Sequence, residues 1–430
     1  MNKFKELTKN RILNNFIVLL TGDSVSSVLN IISTALIVNA IGLSQNGIIL
    51  MIQSYSLLFD QIFNFKIFEG LIKYISVSLY NKDYEKAKSY VKQGLILDFI
   101  TAIVAMIIGI LFINIATTIM GWDEALKSYL LLYMISVGFN ISGVCIGILR
   151  VFNKFNYISY INVSGNLAKT ILFMVGLVCN LKFNYYFFVE LMIVLCKYIM
   201  YMVFSYNTLI KNGLRGSIRS KLKFDKEFIV FSLNTNLAST LDLPVNTITT
   251  FIMNKYLGFE SISVYKIFEK IASLVGKFSS PFNQILYPEL NSYVAKKESE
   301  KAIKLSKKIS VWISGMGIIL LVLVLITYEF WLPILIPNAN RYIYSLSIYI
   351  LFIIFTNSTA TVHSLFMALG YIKYVVPTLF LINSIYIVTI VPFIKYFELN
   401  GVIGALFIQA ILVVVTKLII MKNNNYRVLN

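Results

Sequence analysis

The sequence predicts an all-α polytopic membrane protein with about 12 transmembrane helices, arranged as two parallel six-helix repeats that form two lobes around a central cavity. Hydrophobic residues make up 58% of the 430 residues and charged residues only 13%, against roughly 45–50% and 25% in soluble domains. Several apolar runs extend for about 18 to 25 residues, enough to cross ~30 Å of hydrocarbon as helices. This composition excludes soluble enzymes and nucleic-acid-binding proteins.

Apolar segments separated by polar breaks mark the predicted transmembrane segments, which we call spans. The twelve spans lie near residues 13–40, 46–72, 89–114, 126–149, 157–180, 184–207, 227–256, 260–288, 309–332, 343–369, 372–396 and 400–421. Because twelve is an even number, both chain termini are predicted on the same side of the membrane.

The positions of the basic residues predict which side that is. Of the 38 Lys and Arg residues, 27 lie in the termini and alternate loops on one side, and five lie in the loops on the other. Short basic loops stay in the cytoplasm, so we expect both termini to be cytoplasmic. The formal net charge of +18 is therefore mainly a topology signal and does not require nucleic acid as a partner.

An internal repeat divides the chain into two halves. Glu85-Lys86-Ala87 recurs as Glu300-Lys301-Ala302, 215 residues later, and Gly42 at the end of span one recurs as Gly258, 216 residues later. Six spans per half make the halves parallel repeats, with a cavity expected between them. The predicted domains are a six-helix bundle in 1–207, a basic cytoplasmic linker in 208–224 and a second six-helix bundle in 225–430.

Lysines inside the spans are the candidate substrate-binding residues. Each would cost ~2.5–3.5 kcal/mol or more if it faced lipid at mid-helix, so most must face protein or water. Lys266, Lys270 and Lys277 are spaced to lie on one face of span eight as a basic stripe. The other candidates are Lys66, Lys169 and Lys197. The alternative role of each lysine is a structural salt bridge, for example between Lys66 and Glu69, or between Glu269 and either Lys266 or Lys270.

Asp23 in span one and Asp242 in span seven are candidate sites for a coupling proton or sodium ion, because an intramembrane carboxylate is expensive without a function. Each carboxylate has the alternative of pairing with a lysine. No motif for catalysis, a metal or ATP hydrolysis is found: Gly276-Lys277 lacks the first glycine and the Ser or Thr of a phosphate-binding loop. The sequence therefore predicts a transporter without a cofactor and not an enzyme.

Three stretches carry a family resemblance. They are the turn Ala40-Ile41-Gly42-Leu43-Ser44-Gln45-Asn46-Gly47, the segment Leu71-Ile72-Lys73-Tyr74-Ile75-Ser76, and Ala368-Leu369-Gly370-Tyr371 followed by Lys373. These stretches resemble the polysaccharide transporter (O-antigen flippase) branch of the multidrug/oligosaccharidyl-lipid/polysaccharide exporter superfamily. The resemblance covers essentially the whole chain.

This resemblance implies a flippase that carries undecaprenyl-diphosphate-linked oligosaccharides across the bacterial cytoplasmic membrane for O-antigen, capsule or exopolysaccharide synthesis. It also implies basic residues facing the lipid diphosphate in the cavity. The expected partners are the lipid-linked oligosaccharide, membrane lipids, and the polysaccharide polymerase and chain-length proteins, with the chain itself a monomer.

Two other functions remain open from the sequence. The first is a multidrug exporter of the same superfamily, which would couple cation entry at Asp23 or Asp242 to drug efflux. Cationic drugs require an acidic cavity, and the lysine stripe argues against this function. The second is a membrane glycosyltransferase or polymerase, which the short outer loops, at most roughly 15 residues each, disfavour.

Overall fold

The computed structural model describes the backbone of residues 2–65, 67–240 and 244–424, and the side chains of residues 21–65, 67–234, 245, 247–274, 276–277 and 286–424. Within these ranges every long element is an α-helix. The helices are α1 (Asn2–Phe63), α2 (Phe68–Tyr80), α3 (Tyr84–Met120), α4 (Glu124–Gly138), α5 (Ser142–Val151), α6 (Phe155–Val178), α7 (Phe183–Lys211), α8 (Lys226–Thr240), α9 (Thr249–Ala295), α10 (Ser299–Leu335), α11 (Ile343–Ala368) and α12 (Val375–Asn423). A π-helical turn, Pro244–Ile248, precedes α9.

Three of these helices are interrupted by one residue with non-helical backbone angles. The interruptions lie at Gly42 in α1 (φ 83°), Gly258 in α9 (φ 77°) and Glu398 in α12 (φ 49°). A straight helix of 62 residues, the length of α1, would extend about 93 Å, three times the thickness of the hydrocarbon layer. Each interruption therefore separates two spans.

The described helices account for the twelve predicted spans. Eight segments are long and apolar enough to cross a membrane, and two of them, Thr21–Phe63 and Tyr371–Asn423, contain 43 and 53 residues and have room for two crossings each. Predicted spans seven and eight, near residues 227–256 and 260–288, fall on α8 and α9. The chain is an all-α, multi-pass membrane protein, as predicted.

The two interrupting glycines confirm the internal repeat. Gly42 and Gly258 are the pair predicted from the 216-residue offset, and both have a positive φ that glycine adopts without steric cost. The turn after Gly42 packs against the turn after Gly258, where Asn46 Nδ2 donates a hydrogen bond of 2.7 Å to Ser263 Oγ. A Cβ on Gly47 would overlap the carbonyl oxygen of Phe259, so the close approach of these two turns requires a glycine.

The chain forms two compact units, Met1–Ile41 with Ile48–Leu243, and Gly42–Gly47 with Pro244–Asn430. The sequence placed the domain boundary at the linker 208–224, whereas in the structure α8 belongs to the first unit. The reason is packing: Phe228 at the start of α8 is fully buried in one apolar cluster with Leu71 of α2 and Tyr90 of α3. The first half of predicted span seven is thus anchored on the first bundle.

Candidate functional site

A charged cluster lies inside the first unit, between α1, α6 and α7. Lys169 Nζ of α6 donates to Glu190 Oε1 of α7 at 3.3 Å and to Asn30 Oδ1 of α1 at 3.1 Å. The side chains of Lys169 and Glu190 are only 12% and 14% exposed. Lys169, a predicted substrate-binding residue of span five, therefore has one acidic and one amide partner.

Lys197 of α7 belongs to the same cluster. Its Nζ donates to Asn166 Oδ1 of α6 at 2.9 Å, and its charge interacts with those of both Lys169 and Glu190. The aliphatic part of Lys197 lies across Gly165, where an added Cβ would be 3.1 Å from Cγ and 3.3 Å from Cδ. The absence of a side chain at Gly165 thus allows Lys197 to lie against α6.

These contacts bring two of the predicted substrate-binding lysines together with one carboxylate, an arrangement with one excess positive charge. We use the name α6–α7 lysine cluster for Lys169, Lys197, Glu190, Asn30 and Asn166. The sequence analysis did not predict that Glu190 pairs with Lys169. The signal available in the sequence was the polar spacing of Asn166, Lys169 and Thr170 along span five.

The basic stripe lies on a partly exposed face of α9. Lys266, Lys270 and Lys277 are each partly exposed and Ser273 is exposed, while the opposite face is buried. Lys266 Nζ donates to Glu269 Oε2 at 2.8 Å, and these side chains are 18% and 33% exposed. One member of the stripe is therefore in a salt bridge. Between residues 261 and 288 the sequence holds these three lysines and a single acid, which leaves the segment with a net charge of +2.

The structure describes one of the two predicted ion-coupling residues, Asp23. Asp23 of α1 is exposed, and its charge interacts with the hydroxyl group of Tyr201 on α7. Asp242 and Lys66 lie outside the described residues.

Two other acidic residues in the spans, Asp60 and Asp98, were not predicted as site residues, and both are buried. Asp60 Oδ1 accepts hydrogen bonds from Asn64 Nδ2 at 2.9 Å and from Asn140 Nδ2 at 2.8 Å. Asp98 Oδ2 accepts from the backbone N–H of Val144 at 2.7 Å. Asn140 lies in the break between α4 and α5, and Val144 lies in the first turn of α5. Asp98 therefore satisfies a backbone N–H that the broken transmembrane helix leaves without a helical partner, and Asp60 holds the side chain of Asn140 in the break.

Comparison with known proteins identifies the family. A family model described as "Polysaccharide biosynthesis protein" matches residues 12–294, about two thirds of the chain. The chain belongs to this family. The resemblance found in the sequence is thereby confirmed, and the family places the chain in polysaccharide biosynthesis. No curated protein sequence matches the chain.

Solved structures with the same fold are transporters. An inward-facing multidrug resistance MATE family transporter of the MOP superfamily has a TM-score of 0.74 at 13% sequence identity, with 93% of this chain and 94% of that chain covered. The outward-facing conformation of such a transporter gives 0.65 at 15%, covering 97% and 95%. A MOP superfamily transporter from Pyrococcus furiosus, described as having a binding pocket of reverse polarity that suggests a different function, also gives 0.65 at 15%, covering 97% and 95%. These similarities establish the fold of the family member described here.

Proposed function

We propose that this family member is a flippase that moves undecaprenyl-diphosphate-linked oligosaccharides from the cytoplasmic to the outer leaflet by alternating access, for O-antigen, capsule or exopolysaccharide synthesis. The family match connects the chain with polysaccharide biosynthesis, and the fold is that of transporters. A polysaccharide pathway needs a transporter because the sugar units are too polar to cross hydrocarbon unaided.

The observation that carries the proposal is the α6–α7 lysine cluster. Two ammonium groups, Lys169 and Lys197, lie in the membrane-embedded part of the first unit with one carboxylate, Glu190, which pairs with Lys169. Burying a lysine inside the membrane is costly, and a structural pair would need only one lysine per carboxylate. The second lysine is explained by an anionic ligand, and a lipid diphosphate supplies about two negative charges. The basic stripe on α9, with Lys266, Lys270 and Lys277, is the second proposed binding site for the lipid diphosphate.

The membrane potential can drive this transport. An inside-negative potential of 100 mV favours outward movement of each negative charge by ~2.3 kcal/mol. A substrate with two negative charges therefore gains about twice that free energy on crossing. The proposed mechanism needs neither ATP nor a bound cofactor, and coupling to a proton or sodium ion at Asp23 or Asp242 is an additional proposal.

The cluster residues are tested by export of surface polysaccharide from a deletion strain that carries variant chains. We expect K169Q/K197Q to abolish export and K169R/K197R to retain part of it, because arginine keeps the charge. The same test applies to the stripe with K266Q/K270Q/K277Q and its arginine counterpart. Wild-type export from a normally expressed K169Q/K197Q chain would contradict the role of the cluster, and wild-type export from the stripe variant would contradict that of the stripe.

The second candidate function is a cation-coupled multidrug exporter, and the exposure of Asp23 favours it. An exposed carboxylate in span one is suited to bind a proton or sodium ion. A panel of cationic drugs tested on the deletion strain, together with an analysis of its surface polysaccharide, separates the two functions. Drug hypersensitivity with normal polysaccharide supports the exporter; loss of polysaccharide with unchanged drug tolerance supports the flippase.

The remaining parts of the proposal concern location and partners. We place the chain in the bacterial cytoplasmic membrane with both termini in the cytoplasm, as the distribution of Lys and Arg predicts. It works as a monomer beside the polysaccharide polymerase and chain-length proteins, and it catalyses no chemical reaction. Reporter fusions at the two termini, one active only in the cytoplasm and one only outside, test the orientation.

A further inference from the structure

The segment that joins α7 to α8 is held against the first turns of α3. Gln93, which is almost fully buried, donates from Nε2 to the carbonyl oxygen of Lys223 and accepts at Oε1 from the backbone N–H of Asp225 at 2.9 Å. Lys92 Nζ donates to the carbonyl oxygen of Ser220 at 2.6 Å. The backbone of this basic segment is therefore fixed, and its side chains have defined positions.

Two helices begin beside this segment, and both have an aspartate at the N-terminus. Asp83 Oδ1 accepts from the backbone N–H of Lys86 in α3 at 2.9 Å. Asp225 Oδ1 accepts from the backbone N–H of Glu227 in α8 at 2.9 Å, and its Oδ2 accepts from Tyr90 Oη at 2.6 Å. A cavity of about 940 Å³ lies between the two helix starts.

The cavity is lined by carboxylates that mostly have partners and by lysines that have no carboxylate partner within the described part of the chain. Four carboxylates line it, and three of them already have partners: Asp83 and Asp225 cap helices, and Glu85 pairs with Lys88 at 2.8 Å. The four lining lysines are Lys86, Lys221, Lys223 and Lys226. Among the residues that the structure describes, none of these four lysines is paired with a carboxylate. The lining as a whole carries no net charge, but its four ammonium groups have no described carboxylate within salt-bridge distance, whereas three of the four carboxylates already accept hydrogen bonds or a salt bridge.

The cavity lies at the membrane surface. At 37 residues, α3 is about 55 Å long, so a large part of it extends beyond a hydrocarbon layer of about 30 Å. Its charged first ten residues form the wall of the cavity. Phe224, also in the wall, is 66% exposed, and nearby Ile218 in the same segment is 59% exposed. Exposed apolar side chains among lysines are typical of segments that lie at the lipid headgroups.

We propose that this cavity binds the phosphate group of an anionic phospholipid headgroup, with the four lysines around the phosphate and Phe224 against the acyl region. Basic clusters beside transmembrane helices attract anionic lipids at about this level. The leaflet is the cytoplasmic one in the proposed orientation. The proposal does not depend on the transported substrate.

The test uses the purified full-length chain in detergent and follows its melting temperature, since a ligand that binds only the folded state raises it. The probes are dioctanoyl-phosphatidylglycerol, dioctanoyl-phosphatidylcholine and glycerol 3-phosphate. We expect phosphatidylglycerol to raise the melting temperature and phosphatidylcholine to leave it unchanged. A rise with glycerol 3-phosphate equal to that with phosphatidylglycerol would contradict a lipid ligand and assign the cavity to a soluble phosphate compound.

Two triple variants locate the binding. K221Q/K223Q/K226Q removes three cavity lysines, and K304Q/K307Q/K308Q removes three from the first turns of α10, the repeat equivalent of α3. We expect the first to bind phosphatidylglycerol at least about tenfold more weakly than the wild-type chain, and the second to bind like the wild type. The assignment would be overturned if both variants bound phosphatidylglycerol equally weakly, or if both bound it like the wild-type chain. If the first variant does not fold, K86Q in combination with F224S replaces it.

Discussion

Replacing Gly165 by alanine should displace Lys197 from the α6–α7 lysine cluster. The new Cβ would lie 3.1 Å from Lys197 Cγ and would overlap Cε, so the lysine side chain must rotate away from α6. Its Nζ then loses the hydrogen bond of 2.9 Å to Asn166. The substitution itself adds only one methyl group and no charge, so any loss of transport reports the position of Lys197.

The expected change in stability combines three terms. Alanine in place of glycine inside a helix stabilises by about 1 kcal/mol. A rotated lysine side chain costs about 0.5–1.5 kcal/mol, and the lost hydrogen bond to a charged group costs about 1.5–3 kcal/mol. The net result is a destabilisation of about 1–3.5 kcal/mol. Gly315→Ala in α10 is the matched control, because a Cβ there meets no atom within 4 Å, and only the favourable helix term remains.

The assay measures export of surface polysaccharide in the deletion strain and the melting temperature of each purified variant. We expect Gly165→Ala to melt below and Gly315→Ala at or above the wild-type temperature. We also expect export to fall with Gly165→Ala and to stay normal with Gly315→Ala. If Gly165→Ala exports like the wild type and melts no lower, the packing of Lys197 across α6 is wrong. If it melts lower but exports normally, Lys197 has a structural role only.

Three further predictions concern single side chains. Glu190→Gln removes the negative charge beside Lys169, so polysaccharide export should persist, whereas efflux of cationic drugs would fall if the chain were a multidrug exporter; parallel export and drug assays compare the two. Asp98→Ala leaves the backbone N–H of Val144 buried without its acceptor, which should destabilise the chain by about 2–3 kcal/mol, measured by thermal or denaturant unfolding. The hydrogen bond from Tyr90 holds the pKa of Asp225 below its usual range. At pH values above the ordinary aspartate pKa of about 4, the ionised carboxylate therefore stabilises the folded state, and this stabilisation is lost as the pH falls below that value. Tyr90→Phe should therefore melt lower than wild type at pH 7, with a difference that narrows below pH 4 and not above it.

The number and order of the spans follow from the sequence, and so do the turns between them. Inside a lipid bilayer a backbone must satisfy its hydrogen bonds within the segment, so apolar length alone predicts a helix. Gly42 and Gly258 were identified by their repeat offset, and their positive φ angles agree with that prediction. The sequence also predicted a salt bridge from Glu269 to Lys266 or Lys270, because these residues are neighbours on one helix whatever the fold, and the structure shows the pair with Lys266.

The contacts between helices were decided by the tertiary structure. The sequence places Lys169, Lys197 and Glu190 in the spans, but which lysine meets the carboxylate depends on how α6 and α7 are rotated and offset against each other. The sequence also did not predict that α8 is attached to the first unit through Phe228, because an apolar residue at the start of a span is compatible with either bundle. Hydropathy fixes how deep a residue lies in the membrane, whereas helix packing selects its neighbours, because close packing of side chains depends on residues that are distant in the sequence.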